Sequence, residues 1–207
     1  LIVLPEMFTT GFSMNAKPLA EKMDGASVEW MAQQAKKLNA VITGSLIIEE
    51  ANNFYNRLIW MRPDGSFEHY DKRHLFTLAK EEQTYAPGTK KLIVEYKGWR
   101  ICPLVCYDLR FPVWSRNVEN YDLLIYVANW PNKRSQAWRS LLIARAIENQ
   151  AYVIGVNRVG EDENGHHYRG DSMAVDYYGD VLFQTANVEN CSTIHLEHTP
   201  MEVFRQK

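Results

Sequence analysis

A series of short apolar runs, each closed off by turn-forming residues, limits what this chain can fold into more than any other feature. The runs are LIVL (1–4), AVITGSLII (40–48), FYNRLIWM (54–61), KLIVEY (91–96), WRICPLVC (99–106), DLLIYVANW (122–130), AYVIGVNR (151–158), DSMAVDYY (171–178) and CSTIHL (191–196). Most are rich in β-branched or aromatic residues and lie between Gly, Pro, Asn or Asp, which is the pattern of strands. Arg62-Pro63-Asp64-Gly65 is a turn in which Pro presets φ and Gly accepts a positive one. Tyr96-Lys97-Gly98-Trp99 and Tyr178-Gly179-Asp180 read as hairpin turns. Helical patterns interrupt the strands. Val28, Met31, Ala32, Ala35 and Leu38 recur at helical spacing over 27–38, with Ser27 placed as a cap, and Pro112 suits the first turn of a helix over 112–120. A third helix, about 134–149, carries Trp138, Leu141, Leu142, Ala144, Ala146 and Ile147 and is expected to be covered on more than one side. Strands interleaved with helices predict an α/β protein, and the hairpins predict mixed sheets.

The length of 207 residues predicts a single domain with a large core. A net charge of −2 provides no bulk field for gathering nucleic acid or an anionic membrane surface. No apolar run approaches the roughly 20 residues that span a bilayer. The opening Leu1-Ile2-Val3-Leu4 is too short for a signal sequence and reads as a buried strand, so a chain starting there without Met is expected to be the remnant of a longer one. Cys102, Cys106 and Cys191 make an odd count. Cys102 and Cys106 share one strand, which would hold their Cα atoms about 13 Å apart, beyond the reach of a disulfide. Free thiols predict a reducing, cytoplasmic setting.

Three segments each place an ionisable residue just beyond an apolar strand: LIVLPE ends in Glu6, FEHYDKRHLF carries Lys72, and WRICPLVC ends in Cys106. Taken singly, each has an ordinary explanation: a solvated charge, an exposed charge run, a small buried hydrophobe. Taken together they form the minimum set for thiol chemistry. A thiol needs a base to become a nucleophile and a positive group to hold the oxyanion it creates.

The segments LPEMFTTGF, YDKRHLF, EEQTYAPG, CYDLRFP and ARAIENQAYVIGVNR, in this order, resemble the nitrilase (carbon–nitrogen hydrolase) superfamily, and most closely its omega-amidase branch. The resemblance implies that Glu6 is the general base, that Lys72 stabilises the tetrahedral intermediate with the backbone N–H of Tyr107, and that Cys106 attacks the carbonyl. It also implies a further positioning glutamate, matched best by Glu81 with Glu82 as the alternative. It implies an α-β-β-α sandwich, often paired as a homodimer, with no metal or organic cofactor and a small-molecule amide as substrate. Members begin with another strand and helix and usually run on further, so an N-terminal strand and helix are expected to be missing here.

The resemblance implies short dicarboxylic acid monoamides as substrates, so a cation must read the free acid. Arg110 is the first choice, against a structural ion pair with Asp108. Asn129, Trp130 and Phe76 are expected to line the pocket, Trp130 doubling as a core residue. His166 and His167, adjacent in a polar loop, cannot chelate together as a strand pair. Neither a papain-like cysteine segment nor G-x-S-x-G is present. Nitrilase, N-carbamoyl amidase and aliphatic amidase remain as alternatives, as does a non-catalytic binding protein that keeps the fold.

Overall fold

The computed structural model describes residues 1–206. One sheet holds β1 (Ile2–Val3), β2 (Ile42–Glu50), β3 (Asn53–Met61) and β4 (Phe67–Asp71), in that order, with β1 parallel to β2 and the other pairs antiparallel. The second holds β5 (Val94–Tyr96), β6 (Trp99–Val105), β7 (Leu123–Ala128), β8 (Tyr152–Asn157), β9 (Val159–Glu161), β10 (His167–Val175) and β11 (Val181–Ala186). Its order is β11-β10-β8-β7-β6-β5, with β9 pairing β10. β6, β7 and β8 are parallel, and the remaining pairs are antiparallel. Both sheets are thus mixed, as the hairpins predict. The helices are α1 (Ala16–Leu19), α2 (Ala26–Leu38), α3 (Pro112–Ser115), α4 (Ser135–Asn149) and α5 (His198–Arg205).

Strand alternation builds the four α-β-β-α layers. On β3, Ile59 and Met61 pack with Val28, Met31 and Ala35 of α2. Leu58 and Trp60 point the other way, into the core that holds Leu104 and Tyr126 of the second sheet. Each such side chain, removed fully from water, contributes about 1.5–3 kcal/mol. On the outer face of the second sheet, Gly155 of β8 lies against Trp138 and Leu142 of α4, where an added Cβ would fall 2.5 Å from Leu142. Tyr96 and Trp99 pair directly across Lys97 (φ 51°) and Gly98 (φ 80°), a two-residue hairpin whose positive dihedrals fit the strand twist.

Several local expectations are corrected. The helix expected over 112–120 stops at Ser115, because Asn117 exchanges side-chain hydrogen bonds with the backbone of Tyr121 and closes a turn there. Ser27 does not cap α2. The helix follows Gly25, and the Glu21 carboxylate accepts from the Ser27 backbone N–H and hydroxyl. Only Val94–Tyr96 of the KLIVEY run is strand. CSTIHL forms no strand; β11, which is not among the expected strands although it opens with Val181-Leu182-Phe183 after the Gly179-Asp180 turn, takes the edge beside β10, and Leu196 packs on the core singly. α4 is covered on its sheet side, while Ile147 on the other side is 53% exposed, so one face alone is buried within the chain.

The topology gathers the functional segments. β4 lies two antiparallel steps from β2 and therefore runs in the same direction as β1, so Glu6 and Lys72 leave the same end of the first sheet. Cys106 and Asn129 leave the C-terminal ends of the parallel β6 and β7.

Candidate active site

Glu6, Lys72 and Cys106, far apart in sequence, meet between the two sheets. Lys72 Nζ donates to Glu6 Oε1 at 3.0 Å and to Glu81 Oε2 at 2.9 Å. The side chains of Glu6, Lys72 and Glu81 are fully buried, and Cys106 is buried beside them. Of the two candidate glutamates, Glu81 is inside and Glu82 is exposed. The Glu6 carboxylate also accepts from Asn56 Nδ2 at 2.7 Å and from the Asn129 backbone N–H at 2.8 Å. Asn56 reaches Glu81 as well, at 3.3 Å, while the Phe76 backbone N–H donates to Glu81 at 2.6 Å. Two carboxylates therefore surround one ammonium in a dry site, each oriented by neutral donors, as buried charges require.

Asn56 has no part in the sequence expectations. Its one signal is an asparagine inside the apolar run FYNRLIWM, at a position where a buried strand would otherwise carry a hydrophobe.

The electrostatics follow from burial and from this triad of charges. Burial is the largest influence on the Cys106 thiol and pushes its pKa well above the ordinary value; the neighbouring Glu6 charge adds to this and Lys72 opposes it. Burial alone would lower the Lys72 pKa, but the Glu6 and Glu81 carboxylates outweigh it and hold the ammonium well above the usual lysine range. Burial raises Glu81, Lys72 counters it, and Glu6 adds a further push upward. At neutral pH the site therefore holds a protonated thiol beside a charged lysine.

Left-handed backbone clusters here. Cys106 has φ 46°, Met7, next to Glu6, has φ 44°, and Lys80, just before Glu81, has φ 58°. Each costs about 1 kcal/mol or more for a side-chain-bearing residue and persists because its surroundings hold it. For Cys106 the holder is Asp108, whose buried carboxylate accepts from the Val105 and His74 backbone N–H groups at 3.1 and 2.9 Å and from the Tyr70 hydroxyl at 2.7 Å. It also meets His74 Nδ1 at 2.8 Å. The Asp108–Arg110 ion pair, the rival to a carboxylate-reading Arg110, does not form, because Asp108 is committed to fastening the Cys106 turn to the segment after Lys72. That turn is a 3-10 segment, Cys106–Arg110.

A cavity of about 550 Å³ opens onto Cys106 and Lys72. Phe76, Tyr107, Arg110, Asn129 and Trp130 all border it, as do Arg134, which the sequence does not single out, and His166. Phe76 and Tyr107 meet edge to face, with centroids 5.0 Å apart. The Asn129 side chain turns back to donate to the Glu6 carbonyl at 2.6 Å, so it braces the site. Trp130 is 3% exposed, packs on Trp138 and still reaches the wall. His167 points elsewhere, to Glu161.

Gly88 anchors the Lys72 segment. Its N–H donates to the Lys72 carbonyl at 2.9 Å, and an added Cβ would fall 2.0 Å from the Asp71 carbonyl oxygen. Gly88→Ala must displace the end of β4. Thermal unfolding is expected to show a loss of about 1–3 kcal/mol, and catalytic turnover should fall with it.

Comparison with known proteins bears on this arrangement. The sequence model of the carbon–nitrogen hydrolase family matches residues 1–197. The omega-amidase YafV of Escherichia coli strain K12 is 52% identical over 209 residues, covering 100% of this chain and 81% of that protein. The 2-oxoglutaramate amidase of Bacillus subtilis strain 168 is 34% identical over 194 residues, covering 91% and 74%. Among solved structures, XC1258 of Xanthomonas campestris, a CN-hydrolase superfamily protein with an arsenic adduct in its active site, superposes with a TM-score of 0.97 at 47% identity. The match covers 99% of this chain and 80% of that one. Nit3 of Saccharomyces cerevisiae, of the nitrilase superfamily, gives 0.87 at 25% identity, covering 99% and 79%.

Proposed function

The chain belongs to the carbon–nitrogen hydrolase family, and from that premise we propose that it is an omega-amidase. It releases ammonia from short dicarboxylic acid monoamides such as 2-oxoglutaramate through a cysteine thioester. The observation that carries this reading is a cavity bordered by Lys72 and Cys106, with Glu6 buried behind it on Lys72, joined to the likeness to an omega-amidase and a 2-oxoglutaramate amidase.

Because Cys106 holds its proton at rest, attack needs a base at the moment of bond formation. Glu6 takes the thiol proton as sulfur attacks the amide carbon. The oxyanion forms beside Lys72 and the Tyr107 backbone N–H, which stabilise it. The C–N bond breaks, Glu6 returns its proton to nitrogen, and ammonia departs. Water then attacks the thioester as Glu6 removes its proton, the C–S bond breaks, and the acid leaves with the thiol restored. Glu81 and Asn56 keep Lys72 and Glu6 in register. Arg110, whose guanidinium lies over the Trp130 ring at 5.1 Å, receives the free carboxylate of the substrate.

Among the described residues no helix is long and apolar enough to cross a membrane. Free thiols at Cys102, Cys106 and Cys191 support a reducing, cytoplasmic setting. The open face of α4 at Ile147, beside Gly179 and the exposed Tyr178, supports a homodimer, which sedimentation equilibrium would check.

Ammonia release is the direct test. With 2-oxoglutaramate, an N-carbamoyl amino acid, a nitrile and an uncharged aliphatic amide offered in parallel, 2-oxoglutaramate should give the highest kcat/KM. Turnover of the nitrile or the carbamoyl compound, with none of 2-oxoglutaramate, would overturn the reading. Arg110→Ala should lose kcat/KM for 2-oxoglutaramate more than for the uncharged amide, by about tenfold or more.

A further inference from the structure

Arg134 ends the 3-10 turn Asn132–Arg134 that leads into α4, and it borders the same cavity as Cys106 and Arg110. Its guanidinium lies over the Phe76 ring at 5.2 Å, as that of Arg110 lies over Trp130. The two platforms are linked, because Trp130 Nε1 donates to the Arg134 carbonyl at 2.9 Å. Among the described residues neither guanidinium has a carboxylate or carbonyl partner. Elsewhere in the chain Arg57, Arg145 and Arg205 are all paired through their forks. A ring face orients a guanidinium while leaving its N–H edge open, so the two forks, Arg110 exposed and Arg134 half-buried, both remain open to the cavity.

The acids of this cavity do not use them. Asp162 is engaged by the Tyr168 hydroxyl at 2.9 Å and by the backbone N–H groups of Asn164 and His166, and Glu163 is exposed at the rim. One carboxylate has about four acceptor positions and can take two forks, and a neighbouring ketone oxygen adds another acceptor. An α-ammonium in the same place would face two like charges.

We propose that Arg134 is a specificity-determining residue that forms, with Arg110, a two-guanidinium clamp for the anionic end of the substrate. The clamp selects ω-amides whose carboxylate stands beside a neutral acceptor, the 2-oxo acids, over zwitterionic ω-amides such as glutamine. The inference rests on the amidase reading and goes beyond it.

The test compares wild type, Arg134→Gln and Arg134→Lys with 2-oxoglutaramate, glutamine and pentanamide. In Arg134→Gln the kcat/KM ratio of 2-oxoglutaramate to pentanamide should fall about tenfold or more, and the preference over glutamine should narrow. Arg134→Lys should recover part of the loss, since an ammonium restores charge without the fork. A second measurement needs no turnover. 2-Oxoglutarate should protect Cys106 from iodoacetamide, and Arg134→Gln should require about ten times more of it. Equal loss for 2-oxoglutaramate and pentanamide, or undiminished protection, would overturn the clamp and leave Arg134 as a support for the Trp130 turn. A wild type that attacks no ω-amide would defeat the amidase reading instead, and the protection assay would then decide the clamp alone.

Discussion

Cys106→Ala is expected to abolish ammonia release, with a loss on the order of 10⁴-fold or more, as removal of a nucleophile produces elsewhere. Cys102→Ala and Cys191→Ala should keep activity. Cys102 is fully buried, its thiol is pushed up by burial, and it does not border the cavity. Cys191 is exposed and lies away from the cavity. Iodoacetamide labelling read by mass spectrometry adds a sharper check. The Cys106 pKa is raised, so its thiolate stays scarce as pH climbs through the ordinary cysteine range, and its reactivity depends on Glu6 accepting the proton. Glu6→Gln should therefore slow labelling of Cys106 far more than labelling of Cys191, which acts as the internal reference. If Glu6→Gln left Cys106 labelling unchanged, Glu6 would not be its base. If inactivation tracked labelling of Cys102, the nucleophile would be the wrong cysteine.

Lys72→Met is expected to be the most damaging change to both stability and rate. Lys72 shares two carboxylates, and all three side chains are buried. Removing the ammonium leaves Glu6 and Glu81 facing each other without a cation, and stranding buried charge in this way costs about 3–5 kcal/mol. The sign with pH follows. In wild type the Lys72 pKa is raised, so its contribution is complete below the unfolded lysine value and fades as pH rises through the folded one. In Lys72→Met, Glu81, already pushed up by burial and now without the lysine that opposes this, takes a proton more readily, so the defect should ease as pH falls and deepen as it rises. Lys72→Met combined with Glu81→Gln removes one of the two stranded charges and should be less destabilised than Lys72→Met alone, while remaining inactive. Denaturant melts of the three proteins across pH measure this. A double variant no more stable than the single one would mean that lost packing, and not stranded charge, is the dominant penalty.

Much of the fold could be read from local signals. Apolar runs ending in Gly, Pro and Asn marked most strands, and Lys97-Gly98 marked a hairpin turn that the structure forms between Tyr96 and Trp99. The expectations that failed did so where a distant or side-chain contact overrides propensity: Glu21 capping α2, Asn117 closing the chain after α3, and β11 taking the sheet edge. β11 and α5 were missed for their brevity, six and eight residues, although VLFQTA and HTPMEVFR both carry apolar side chains.

For the site, residue type and position after a strand were enough to point to Glu6, Lys72 and Cys106, because the chemistry of a thiol nucleophile needs those groups and strand ends are where rigid sheets present them. The resemblance already preferred Glu81 to Glu82; the fold adds the physical reason, a turn with Lys80 in a left-handed conformation that buries Glu81 and leaves Glu82 exposed. The fold alone supplied the part played by Asn56, the engagement of Asp108 by His74 and Tyr70, and the placing of Arg134 and Arg110 on one cavity. A sequence carries the chemistry of each side chain and the period of each element. Which groups share a cavity, and which charges are left without a partner there, depends on contacts between segments tens of residues apart, and those exist only once both sheets have closed on each other.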